Sequence, residues 1–134
     1  MMYLTRRFGF SSSHRLHAPA LDAAANSCAF GICQNIHGHN YRLEVTVRGD
    51  VDPQTGFFCN VMDLVSLVDG LVVKRCDHQY LNDLELFQGI TTTMENLATR
   101  IWGAIDGPLK ERGMELYEVL LGETDEHWAR LRRD

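Results

Sequence analysis

From Tyr41 to Arg48 the chain alternates strictly. Tyr41, Leu43, Val45 and Val47 are apolar, and Arg42, Glu44, Thr46 and Arg48 between them are polar. Successive side chains of a strand point to opposite faces, so this run predicts a half-buried strand over about 37–49. The same phase carries back through His39 to His37. A second strand is predicted over 2–16, with Leu4, Phe8, Phe10, Ser12, His14 and Leu16 on one face and Arg6 as the exception. Three imidazoles, His14, His37 and His39, therefore fall on the inward faces of two strands that follow one another in the chain. Antiparallel pairing of those strands would let them converge.

The rest of the chain supplies helices and two more strands. Asp52-Pro53-Gln54-Thr55-Gly56 reads as a turn. Asn60 can cap a helix over about 61–75 that carries Val61, Leu64, Val65, Val68 and Val72. Thr92-x-x-Glu95 has the pattern of a capping box for a helix to about 106, with Leu97, Ile101, Trp102 and Ile105 on its apolar face. Met114 to Glu123 reads as a third strand, and His127 to Arg132 as a fourth, with a turn over 122–126. Strand pairs flanking two helices predict an α+β domain with an antiparallel sheet. Four strands cannot close on themselves, so the sheet edges need cover, and pairing with other subunits is one way to provide it.

Size and charge narrow the function. A chain of 134 residues predicts one domain, 1–134, large enough for a real core. Eighteen acidic residues against 13 Lys and Arg give a net charge of -5, without a basic run, which argues against general nucleic-acid binding. No apolar stretch is long enough to span a membrane, and no apolar segment follows Arg6 and Arg7 as a secretion signal requires. The expectation is a cytoplasmic protein in which Cys28, Cys33, Cys59 and Cys76 are thiols or ligands rather than disulfides.

Three neutral imidazoles form a zinc set that leaves a coordination position open. Cys33, four residues before His37, reads either as a further ligand of a closed structural site, joined by Cys28, or as a thiol beside the metal acting as base or nucleophile. Cys59 and Cys76 read as ordinary buried thiols. Asp77-His78 is either a polar turn or an acid–base dyad in which the carboxylate orients the ring. Glu123 falls in phase with Tyr117, Val119 and Leu121, so it needs a partner: a salt bridge at the strand end, or the bidentate donor edge of a ligand.

Phe10-Ser11-Ser12-Ser13-His14-Arg15-Leu16, Cys33-x3-His37-Gly38-His39-Asn40-Tyr41, Asp77-His78-Gln79-Tyr80-Leu81-Asn82, Glu95-Asn96-Leu97-Ala98 and Glu123-Thr124 together resemble the 6-pyruvoyl-tetrahydropterin synthase superfamily, which includes the 6-carboxy-tetrahydropterin synthases of the queuosine pathway. The resemblance runs in order along nearly the whole chain. It implies the tunnelling fold, a ββααββ unit whose subunits associate into a β-barrel, in a homohexamer of two stacked trimers. It implies zinc on His14, His37 and His39, Cys33 as the catalytic thiol, and Asp77 and His78 as its acid–base partners. It implies Glu123 as anchor of a pterin ring, with Thr93 and Glu95 as secondary contacts, and 7,8-dihydroneopterin triphosphate as substrate. Three residues between Cys33 and His37 follow the shorter pattern of the 6-carboxy enzymes, which makes side-chain cleavage to 6-carboxy-tetrahydropterin the leading expectation. Phe30-Gly31-Ile32-Cys33 and Gly122-Glu123-Thr124-Asp125 read more like the pyruvoyl branch, the alternative. A structural zinc module for partner binding is the alternative of another class.

Overall fold

A computed structural model describes residues 1–134. The two alternating runs become the longest strands, β1 (Met2–His14) and β2 (His37–Gly49). They pair antiparallel along their full length, from Met2 opposite Gly49 to His14 opposite His37. The later strands, β4 (Glu115–Gly122) and β5 (Trp128–Arg132), extend the sheet antiparallel on the far side of β2. A short fifth strand, β3 (Gln79–Tyr80), pairs parallel with Ser12 and Ser13, giving the order β3-β1-β2-β4-β5. The expected four-stranded antiparallel sheet is thus corrected to a five-stranded mixed one. Two residues are too few for periodicity to reveal a strand.

β1 also stops two residues short of the predicted end. The Asn82 side chain takes over both backbone groups of Arg15, accepting from its N–H at 3.0 Å and donating to its carbonyl at 3.0 Å. An amide side chain here replaces a neighbouring strand, so the ladder ends at His14.

The helical segments are α1 (Ala23–Phe30), α2 (Val61–Val68), α3 (Lys74–Cys76) and α4 (Met94–Glu111). α1 was not expected. Its sequence, AAANSCAF, has no apolar stripe, and its one buried residue is Asn26. That side chain holds the loop around it, accepting from Ala18 N–H and donating to the carbonyls of Ala18, Leu21 and Asp22. Asn60 caps α2 as expected, accepting from Met62 N–H at 2.9 Å. Between α2 and α3 the chain winds as a π-helix, Asp69–Val73. The cause is visible in the core residues: Leu64, Val68, Val72 and Cys76 are all fully buried and four apart. An α-helix would rotate such a series by about 40° per step, and the wider π turn absorbs that drift. α4 runs beyond 106 because Pro108, in its last turn, removes only one ladder bond and Leu109 is fully buried after it.

The core lies between one face of the sheet and these helices, with Phe8, Phe10, Tyr41, Leu43, Val45, Leu116, Val119 and Leu121 against Leu64, Val68, Leu97, Ile101, Ile105 and Leu109. The other face is polar: Arg7 meets Glu44 at 2.9 Å, Thr5 meets Thr46 at 2.7 Å, and Glu118 faces Arg130 and Arg132. β3 covers β1 only at Ser12 and Ser13, and β5 has a partner on one side only, so both sheet edges present unpaired backbone. No helix is long and apolar enough to cross a membrane.

Candidate metal centre and active site

The strand register builds the centre. His14 lies opposite His37, and Ser12 opposite His39, so the alternation that buries Phe10 and Tyr41 carries all three imidazoles to one place. The ring centroids are 4.6 Å apart for His14–His37 and 5.1 Å for the other two pairs. One nitrogen from each ring lies within 4.8 Å of the others, and the group could hold a metal ion. Gly38 between them is a matter of space: a Cβ there would sit 3.2 Å from the Ser12 carbonyl oxygen.

The rings are prepared as ligands. His14 Nδ1 lies 2.9 Å from the Thr92 carbonyl, and His37 Nδ1 lies 2.7 Å from the Asn35 carbonyl. A carbonyl can only accept, so each Nδ1 carries a proton and Nε2 is the nitrogen left to bind a metal. His14 Nε2 and His39 Nε2 are buried and have no hydrogen-bond partner. An unpaired buried polar atom costs about 1–3 kcal/mol, and two at one point fit a metal-ligand set better than a finished apolar core. Burial, and then the neighbouring His37, push the His14 ring down to about 4. Burial also lowers His39, against the pull of Glu123. Glu123 Oε2 stands 3.5 Å from His39 Nε2, but desolvation keeps the ring neutral, so the contact is not a working salt bridge.

A stability prediction follows from the buried ring. In the metal-free protein His14 titrates near 4, whereas in the unfolded chain it titrates near the ordinary 6.5. Between those values the unfolded state binds more protons, so acidification destabilises the fold. Stability of the metal-free protein should be full above pH 6.5 and should decline by up to about 3 kcal/mol as pH falls to 4, measured by urea unfolding.

Cys33 is a half-buried free thiol on the turn Gly31–Gln34 that follows α1. Its carbonyl accepts from Leu16 N–H at 2.8 Å, which ties the turn to the end of β1. Neither Cys33 nor Cys28 contributes to the ligand group, which is histidine alone. Cys59 and Cys76 are buried thiols, as expected, and burial pushes Cys76 up to about 12.

The Asp77–His78 pair is held against β1 at Ser11. His78 Nδ1 lies 2.9 Å from Asp77 Oδ2, while Asp77 Oδ1 accepts from Ser11 N–H at 2.9 Å. That backbone donor, and then His78, hold the Asp77 carboxyl below its usual range. His78 has φ +59°, a left-handed conformation rare outside glycine, and its N–H donates to the Ser11 carbonyl at 2.6 Å. Its exposed ring shares a groove with Ser11, Ser13, Gly38 and Asn40, which alternate with the imidazoles along β1 and β2; of the histidine cluster only His39 borders that groove.

Glu123 lies one residue beyond β4 and finds no arginine or lysine; the nearby Arg42 pairs with Asp125 at 2.6 Å. At the strand end its one ion-pair contact is His39, 3.5 Å away, which is charged only when that ring is protonated. Thr93, not Thr92, is the N-cap of α4, accepting from Asn96 N–H at 3.3 Å. The capping-box reading is corrected by one residue: Thr92 is fully buried and faces His14, and Glu95 is exposed in the first turn. Thr92 and Asn82, which together hold the end of β1, were missed by sequence reasoning. The capping pattern had already absorbed Thr92, and Asn82 carried no periodic signal.

Residues 3–134 match the family profile described as 6-pyruvoyl tetrahydropterin synthase. The chain belongs to that family. Among curated relatives, the 6-pyruvoyl tetrahydrobiopterin synthase of Drosophila melanogaster is 46% identical over 91% of this chain and 74% of its own length. A candidate 6-carboxy-5,6,7,8-tetrahydropterin synthase of Archaeoglobus fulgidus is 34% identical over 75% of this chain and 79% of its own length. The solved 6-pyruvoyl tetrahydropterin synthase of Caenorhabditis elegans superposes with a TM-score of 0.84 at 32% identity, covering 99% of this chain and 96% of that one. The sheet-and-helix arrangement is that of the family's tunnelling fold. With this membership and the histidine cluster, the chain is an enzyme of the metal-associated lyase type.

Proposed function

We propose that the chain is a zinc-dependent 6-pyruvoyl-tetrahydropterin synthase acting on 7,8-dihydroneopterin triphosphate. The observation that carries this reading is the convergence of three imidazoles at one point, in a chain that also holds a hydrogen-bonded Asp–His dyad against β1 and whose higher identity is to a pyruvoyl enzyme. The short loop from Cys33 to His37 by itself favours the 6-carboxy reaction. Three residues of loop weigh less than identity spread over nine-tenths of the chain, and the Phe30–Cys33 and Gly122–Asp125 segments agree with that identity.

His14, His37 and His39 would hold the zinc, which supplies Lewis acidity toward side-chain oxygens of the substrate. The Glu123 carboxylate, which meets no arginine or lysine, accepts the donor edge of the 2-amino-pyrimidinone ring in two parallel hydrogen bonds. Thr93 and Glu95, at the start of α4, serve as secondary ring contacts. The Cys33 thiolate takes protons from the side-chain carbons, and His78, oriented by Asp77, returns them. Triphosphate leaves, the side chain is oxidised to a diketone, and the ring is reduced from the dihydro to the tetrahydro level. No external reductant enters the balance. Open edges on β1 and β5 suit subunit pairing into a barrel and a hexamer of two trimers, with Cys33 and the dyad meeting across subunits.

The test is to incubate zinc-loaded protein with 7,8-dihydroneopterin triphosphate under argon, with no reductase, and to identify products by mass. Pyruvoyl-tetrahydropterin and triphosphate are expected. 6-Carboxy-tetrahydropterin with acetaldehyde would instead assign the chain to the branch that its short cysteine loop resembles.

A further inference from the structure

The end of β1 carries a polar bracket that the proposed chemistry does not use. His14 is the last residue of the strand, so no ladder bond lies beyond it to fix its backbone. Two side chains take over. Asn82 pairs with both backbone groups of Arg15, as described above. Thr92 Oγ1 donates to the Arg15 carbonyl at 3.1 Å. The same oxygen stands 3.2 Å from His14 Nδ1, beside the Thr92 carbonyl at 2.9 Å. Thr92 is fully buried, and it immediately precedes the N-cap of α4, so both its oxygens are fixed to a rigid element.

We propose that the Thr92 hydroxyl is a positioning group for the metal centre: it locks His14 in the Nδ1–H tautomer and aims Nε2 at the ion. The proposal rests on the reading of the three histidines as metal ligands. The hydroxyl has one hydrogen, and the Arg15 carbonyl takes it. Toward His14 the oxygen can therefore only accept, which makes Nδ1 the protonated nitrogen. The backbone carbonyl alone could provide an acceptor. The hydroxyl adds a second acceptor and a link to residue 15, so the ring is held from its own chain and from α4 together. Partners of this kind behind a ligating histidine typically change metal affinity by about 10–100-fold.

The variants Thr92→Val and Thr92→Ser separate this role from simple packing. Valine keeps the shape and removes the hydroxyl, while serine keeps the hydroxyl and removes a methyl. Zinc affinity is read by competition with a chromophoric chelator, and ligand geometry by the visible spectrum of the cobalt-substituted protein. The expected result is zinc binding about 10–100-fold weaker in Thr92→Val, with an altered cobalt spectrum, and near-parental values in Thr92→Ser. Parental affinity and spectrum in Thr92→Val would overturn the proposal. So would weakening in both variants alike, which would mark a packing effect. If valine prevents folding, Thr92→Ala beside Thr92→Ser decides: weaker zinc binding and an altered cobalt spectrum in alanine alone support the proposal, and parental values in alanine overturn it. A parent that binds no zinc while retaining its fold removes the metal reading itself and the proposal with it, a result distinct from a parent that binds and a valine variant that binds equally well.

Discussion

Cys33→Ala is expected to retain one zinc per chain and to lose about 10²–10⁴-fold in turnover, the range over which a positioned proton-transfer group contributes. Two features make the outcomes separable. The metal-ligand group consists of three histidines and receives no atom from Cys33, so removing the thiol leaves every ligand in place. The turn that carries it is anchored through its backbone, Leu16 N–H to the Cys33 carbonyl, a bond that alanine preserves. The variant should therefore fold normally and bind zinc as the parent does. Metal content by elemental analysis and steady-state rates on 7,8-dihydroneopterin triphosphate are measured on one preparation. Loss of zinc together with activity would support a closed structural site instead, the other chemistry open to a cysteine four residues before His-Gly-His.

The alternation of residues 41–47 made the sheet legible because burial of one face demands a period of two, and a slip of one residue would expose Leu43, Val45 and Val47. The phase of His37 and His39 rode on that constraint, and their register with His14 followed from antiparallel pairing. What remained hidden had no periodic cause. α1 is held by the hydrogen bonds of one buried asparagine rather than by an apolar stripe. The π turn shows in the four-residue spacing from Leu64 to Cys76 only once those residues are known to be buried together. The threonine run from Thr91 to Thr93 offered three hydroxyls of one kind, and sequence pattern alone assigned the cap to the wrong one. The left-handed turn at His78 has no glycine to announce it, because three hydrogen bonds to Ser11 and Ser12 hold residues 76–78 there.

His37→Ala should weaken zinc binding by at least about 10²-fold and abolish turnover at ordinary zinc concentrations. Structural zinc sites release roughly 10–16 kcal/mol over four ligands, so a single ligand is worth a few kcal/mol. Of the three rings, His37 is a clean choice for removal because it is only partly buried and its Nδ1 bonds the local Asn35 carbonyl rather than the core. A second readout comes from the electrostatics. After burial, the charge on His37 is the largest influence holding the His14 ring low. Without that charge the folded-state value of His14 moves up toward its unfolded value, and the window in which the unfolded state binds the extra proton narrows. The metal-free variant should then lose less stability than the metal-free parent as pH falls from 6.5 to 4, even though it binds zinc far more weakly. Urea unfolding at the two pH values checks this. Equal acid sensitivity in variant and parent would mean that burial alone sets the His14 ring, and that the imidazoles do not sense one another at the distances seen here. Weak zinc binding with reduced acid sensitivity is the pairing expected of a converged, mutually repelling set of histidines.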